Sequence, residues 1–220
     1  WRATAQERRN TLMPFFWNTI AKKGQIYGNR NVGNFMNVKN RYWFSYPGYN
    51  EMFTGYPDTL VNSNAFPPNP NVNVFEVINK QPGFQNKVAV FAGWDKYYNI
   101  LNQERSKLPI NAGYAELKGN NLTEVQKFLN WQQKFVPNSL APDERMDAIT
   151  YPMAKDYLKQ NKPRVLYLAF IDTDDFGHKG KYDLYLDAAH KSDAMIEDLW
   201  NYLQSDPFYK DQTTLLVTTD

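Results

Sequence analysis

The chain carries 220 residues, enough to bury a full hydrophobic core without disulfide or metal staples. A hydrophobic fraction of 42% and a charged fraction of 22% exclude intrinsically disordered, collagen-like and coiled-coil classes. The net charge of +2 is spread over scattered Lys and Arg, which excludes a basic footprint for nucleic acid, and the lack of Cys excludes disulfides, thiolate catalysis and Cys-ligated zinc. Any metal must therefore be held by oxygen and imidazole. No apolar run approaches the roughly 20 residues that span a bilayer, and no signal peptide opens the chain. Trp1 opens inside a helix approach and Asp220 follows an apolar strand directly, so residues 1–220 read as a single domain incomplete at both ends.

Residues 4–23 read as helical, with Leu12, Phe15, Phe16 and Ile20 near a 3.6 period, Pro14 dividing the helix and Gly24 stopping it. The Asn-, Gly- and aromatic-rich stretch that follows ends in Tyr42-Trp43-Phe44, a run that suits a buried strand. Pro47 then sits where a first-turn proline belongs, and a short helix runs through Glu51 to Gly55. Residues 56–74 hold four prolines among five asparagines and predict an irregular surface loop, the kind that in compact domains is functional or mobile.

Beyond it the pattern predicts a helix near residues 73–79, a strand at 87–92, and helices near 96–103, at 122–135 and at 147–161. Residues 164–171 are nearly all apolar, which predicts a central strand covered on both faces. A long helix over 182–204, with Tyr185, Ala189, Ile196, Leu199 and Leu203 along one side, and a strand over 213–219 complete a strand–helix–strand crossover. The class is α/β with a mostly parallel sheet.

In open α/β sheets ligands sit beyond the carboxyl ends of strands, which singles out Ser45, residues 174–178 and Asp220. Ser45 stands where a strand turns into a helix, so the helix N-terminus would favour an anion beside its hydroxyl; the same position suits a helix cap, and the two roles can coexist. Asp174 and His178 lie four residues apart and can point at one ion, although a strand-end turn with solvated side chains fits the same spacing. The other histidine, His190, falls mid-helix and reads as structural. Asp220 would close a strand of the same sheet and share the edge with that pair.

The run from Ser45-Tyr46-Pro47-Gly48 through Thr54-Gly55 to Asp58 resembles the nucleophile segment of the type I phosphodiesterase and nucleotide pyrophosphatase branch of the alkaline phosphatase superfamily. Asp174-Asp175-Phe176-Gly177-His178 is similar to that superfamily's Asp-x-x-Gly-His metal motif, and Thr218-Thr219-Asp220 looks like the start of its Asp-His-Gly motif. The resemblance implies a three-layer α/β sandwich, an enzyme that hydrolyses phosphate mono- or diesters, and two divalent metal ions, zinc first, with manganese or magnesium as alternatives. It implies Ser45 as nucleophile and metal ligand, with a covalent phosphoserine intermediate. Asp174 and His178 become ligands of one ion, and Asp220 a ligand of the second. An Asn that steadies a phosphate oxygen matches either Asn62 or Asn64. The resemblance also favours an extracytoplasmic location.

A phosphotransferase or mutase of the same superfamily is the nearest alternative. A sulfatase is disfavoured because Tyr49 stands where the sulfatase motif has Arg. A different class of reading is a carbohydrate- or peptide-binding module using Tyr97, Tyr98, Trp131 and the loop over 62–73, although such aromatics are more often core or half-buried. Asn121-Leu122-Thr123 fits a glycosylation sequon to which no function attaches.

Overall fold

A computed structural model describes residues 4–136 and 141–219. In chain order it contains α1 (Ala5–Leu12), a π-helical turn (Phe16–Ile20) running into α2 (Ala21–Lys23), a 3-10 turn (Arg30–Val32), α3 (Ser45–Thr54), α4 (Val74–Asn79), β1 (Val88–Ala92), α5 (Tyr97–Ile100), α6 (Gln103–Ser106) and β2 (Ile110–Ala112). These are followed by α7 (Glu124–Gln132), α8 (Asp147–Asn161), β3 (Val165–Ala169), α9 (Asp172–His178) and α10 (Tyr182–Ser205). The described parts of Trp1–Asn37 and Asp172–Thr218 form a compact helical unit, and those of Val38–Ile171 and Thr219–Asp220 a sheet-bearing one.

In the helical unit, α1 starts on a reciprocal cap: the Thr4 hydroxyl accepts the Glu7 N–H, and the Glu7 carboxylate accepts the Thr4 N–H. It ends at Met13 because a residue before proline is pushed out of helical geometry. The segment after Pro14 is then capped from a distance. The buried Asp193 carboxylate of α10 accepts the N–H groups of Phe15 at 2.7 Å and Phe16 at 2.8 Å. His190 Nδ1 lies 2.8 Å from the Leu12 carbonyl oxygen, a structural bond that fits its mid-helix place. The face that α10 buries carries Ala188, Asp193 and Leu203, whereas Tyr185 of the expected stripe is exposed.

The sheet-bearing unit holds an open, parallel three-stranded sheet of order β2-β1-β3. All five residues of β1 are buried, so β1, and not the run 164–171, is the strand covered on both faces. β3 flanks it and is half-buried over most of its length. Register and the period-two alternation sort the side chains onto two faces. Ala89, Phe91, Leu166 and Leu168 pack with Leu117, Leu129, Ile149, Met153 and Ala154, which places α7 and α8 on one face. Tyr167, in register with Val90, meets Phe53 of α3 at 5.1 Å, Phe75 of α4 at 5.4 Å and Tyr97 of α5 at 5.7 Å between ring centroids on the other. Caps fix helix starts again: Asn73 and Glu76 close one reciprocal box, Thr123 and Gln126 another.

Four local expectations differ from the structure. Tyr42-Trp43-Phe44 forms no strand, and Trp43 is 98% exposed. Side chains take up the backbone groups there instead: Glu51 accepts the N–H of Lys39 and Asn40, and Asn40 accepts the N–H of Tyr42. The helix expected over 96–103 is two short helices broken at Asn102, whose φ of 43° is left-handed. Residues 172–178 are helical instead of a turn. Residues 213–219 are assigned neither helix nor strand, and Leu216 among them is 85% exposed; an apolar run becomes a strand only where a neighbour takes its backbone hydrogen bonds. No helix among the described residues is long and apolar enough to cross a membrane.

Candidate functional site

Ser45 is the first residue of α3 and is half-buried. Phe44 occupies the cap position, and its side chain makes no capping bond, so the N-terminus of α3 is left to other groups. One arrives from the Pro/Asn-rich loop: Asn64 Oδ1 accepts the N–H of Tyr46 at 2.9 Å. Pro47 has no N–H to satisfy, and Gly48 N–H already closes the first helical bond to Phe44 O. The structure thus brings Asn64 to the nucleophile segment and leaves Asn62 exposed.

The loop that carries Asn64 is irregular, as its composition predicts, yet firmly tied. Asn50 of α3, 1% exposed, accepts hydrogen bonds from Asn69 at 3.0 Å and Asn71 at 3.1 Å, and Asn71 also donates to Asp58 at 2.7 Å. Arg105 donates to the carbonyl oxygens of Asn69, Pro70 and Asn71 and pairs with the buried Glu76 at 2.6 Å. Tyr46, fully buried, donates its hydroxyl to Pro67 O at 2.9 Å, and burial pushes its pKa up. A loop held at this many points can present one amide at a fixed place, which flexible chain cannot.

The chain leaves β1 for β2 on one side, and β3 lies on the other, so the strand order reverses at β1. Crevices beyond the carboxyl end of such a strand are where open α/β sheets bind ligands. There the chain runs Gly93-Trp94-Asp95-Lys96, and a cavity of about 410 Å³ is lined by Asn64, Ala65, Phe66, Trp94, Lys96 and Asn99. Gly93 is required by crowding: a Cβ there would lie 2.4 Å from Ile171 Cγ2 and 2.8 Å from Arg145 O. Burial raises the Asp95 carboxyl above its ordinary value; Lys96 opposes the rise and Asp143 adds to it. Trp94 is oriented by its indole N–H, which donates to Asp143 at 3.0 Å.

Asp174 and His178 lie on one face of α9, with Asp174 Oδ1 3.6 Å from His178 Nε2 and both side chains open to solvent. A carboxylate oxygen and an imidazole nitrogen at that separation fit two positions of a zinc shell that uses no thiolate. The pair belongs to the helical unit, whereas Ser45 and Asn64 belong to the sheet-bearing one. Asp220 lies outside the described residues. Among the described residues no group of three or more His, Asp and Glu side chains is gathered closely enough to hold a metal.

The segment after β1 carries no motif of its own, although the strand-end rule that selects Ser45 and Asp174 applies to it equally. Arg145 is equally unmarked in the sequence. That side chain is 0% exposed beside the carboxyl ends of β1 and β2, donates to Thr150 Oγ1 at 3.0 Å and Ala115 O at 3.3 Å, and burial pushes its pKa down to about 10. No local signal marks its burial, because beside Thr150 and Met153 of α8 its partners are the distant carbonyl oxygens of Ala92 and Ala115. Of the aromatics weighed for a binding module, Tyr97 is 1% exposed and so belongs to the core, Tyr98 is half-buried and Trp131 is exposed. No family model, curated protein or solved structure matches this chain.

Proposed function

We propose that the protein is a metal-dependent hydrolase of phosphate mono- or diesters, built on the alkaline phosphatase-like α/β sandwich, with Ser45 as its nucleophile. The observation that supports this reading most is the Asn64 bond to the N-terminus of α3. It links the serine's helix to a cavity at the carboxyl end of the strand where the sheet order reverses. Lys96 lines that cavity and supplies a cation for an anionic ester.

In this mechanism the phosphoryl group sits against the N-terminus of α3, where the helix dipole and the remaining backbone N–H favour negative charge. Asn64, anchored through its carbonyl oxygen, keeps its amide NH₂ for a phosphoryl oxygen. The Ser45 oxygen attacks phosphorus, the ester P–O bond breaks, and the alcohol departs with the serine proton. Water then displaces phosphate, or the phosphate monoester when the substrate is a diester, from Ser45 and restores the hydroxyl. Asp174 and His178 of the helical unit would hold a zinc ion, with Asp220 assigned to a second, and a bound metal would supply Lewis-acid chemistry.

The test is turnover of p-nitrophenyl phosphate and bis(p-nitrophenyl) phosphate by the full-length protein supplied with zinc. Ser45→Ala is expected to abolish turnover, and Asn64→Ala to lower kcat by about 10²-fold, the scale of losing one oxyanion donor. Unchanged turnover in Ser45→Ala rules the reading out. Release of inorganic phosphate from the monoester, or of p-nitrophenyl phosphate from the diester, separates a hydrolase from a phosphotransferase or mutase.

A further inference from the structure

A second cavity, of about 710 Å³, opens beside β2 in the sheet-bearing unit, and nothing in the hydrolase reading uses it. Its volume falls inside the range of about 300–1,000 Å³ typical of small-molecule sites. Phe91, Tyr98 and Tyr157 contribute rings to its lining, with Phe91 and Tyr157 5.2 Å apart between centroids and tilted by 54°. The polar part is dominated by amides, among them Asn111, Asn121 and Gln160.

Asn111 is the most informative of these. It sits on β2 in register with Phe91 and is 8% exposed. Its Nδ2 donates to Ala115 O at 2.9 Å, but its buried Oδ1 accepts no hydrogen bond. A buried carbonyl oxygen without a donor is costly, and native structures satisfy nearly all such atoms. The cavity that Asn111 lines is the place from which a donor can come.

The chemistry of the wall narrows the donor's identity. Glu116 and Lys118 are the charged lining residues, both exposed, and Glu116 is paired with Lys134 at 2.7 Å. A phosphorylated or carboxylated ligand would find little cationic support, and a purely apolar one would strand the amides. Hydroxyl-rich rings meet both demands: each hydroxyl can donate to an amide oxygen and accept from an amide NH₂, while the C–H faces pack on aromatic rings. We propose that the cavity beside β2 binds a neutral saccharide, with Asn111 Oδ1 accepting from a sugar hydroxyl.

Ligand-observed NMR and calorimetric titration with maltose, cellobiose and N,N′-diacetylchitobiose test this, with the free base adenine as a planar non-sugar control. At least one disaccharide is expected to bind with Kd below about 1 mM, and Asn111→Leu to weaken it about tenfold or more. Because Asn111 is buried, the exposed rim variants Asn121→Ala and Gln160→Ala provide tests that spare the fold, and each is expected to weaken binding. The proposal is overturned if no disaccharide binds, if the three variants leave binding unchanged, or if adenine binds and the sugars do not. None of these outcomes depends on phosphatase turnover, so the two readings stand or fall separately.

Discussion

Asp95 stands at the carboxyl end of β1, its carboxyl held above the ordinary range by burial and by Asp143, with Lys96 partly offsetting the rise. The folded chain therefore binds this proton more tightly than the unfolded chain. Its contribution to stability is fully present below the unfolded-state value and is lost as pH rises through the higher folded value. Asp95→Asn should accordingly melt at a higher temperature than the wild type at pH 7, with the difference vanishing below about pH 4. Thermal melts across that range check the sign, and a constant difference would show that charge is not the cause. At this scale Ser45, Asp174 and His178 stand out in the sequence because each follows a predicted strand, although no strand forms before Ser45. The choice of Asn64 over Asn62 was not, since the two differ only in which one the fold brings to the Tyr46 N–H.

Several helices of this chain begin at side-chain caps that are local in sequence. Thr4 with Glu7, Asn73 with Glu76 and Thr123 with Gln126 lie within four residues of one another, so their helices announce themselves in sequence. The segment after Pro14 is capped from a distance instead, because its cap, Asp193, is 178 residues from Phe15. Asp193→Ala leaves two N–H groups without their acceptor and is expected to cost about 1–3 kcal/mol, measured by urea unfolding. Asp193→Asn keeps one acceptor oxygen and should cost less. The expected strand at 42–44 failed for a related reason: aromatic composition permits a strand, but only a pairing neighbour makes one, and here Glu51 and Asn40 take the backbone groups.

In the sheet-bearing unit, stability concentrates around β1. Met153, 0% exposed among Ala89, Phe91, Leu129 and Ile149, is expected to cost about 2–5 kcal/mol when truncated to Ala. Trp43, 98% exposed, should change stability by no more than about 0.5 kcal/mol on replacement by Ser. Chemical denaturation of both variants tests whether burial, not hydrophobic character, sets the cost. The α/β class and the positions of α8 and α10 followed from the sequence alone, since apolar periodicity acts over a few residues, whereas the strand over 213–219 on which the expected crossover rests does not form. Tertiary structure alone decided which apolar strand is central, which asparagine meets the helix of Ser45, and that Arg145 is buried beside the strand ends. Each of these depends on groups distant in the chain competing for the same space and the same hydrogen bonds, and no local pattern records the outcome.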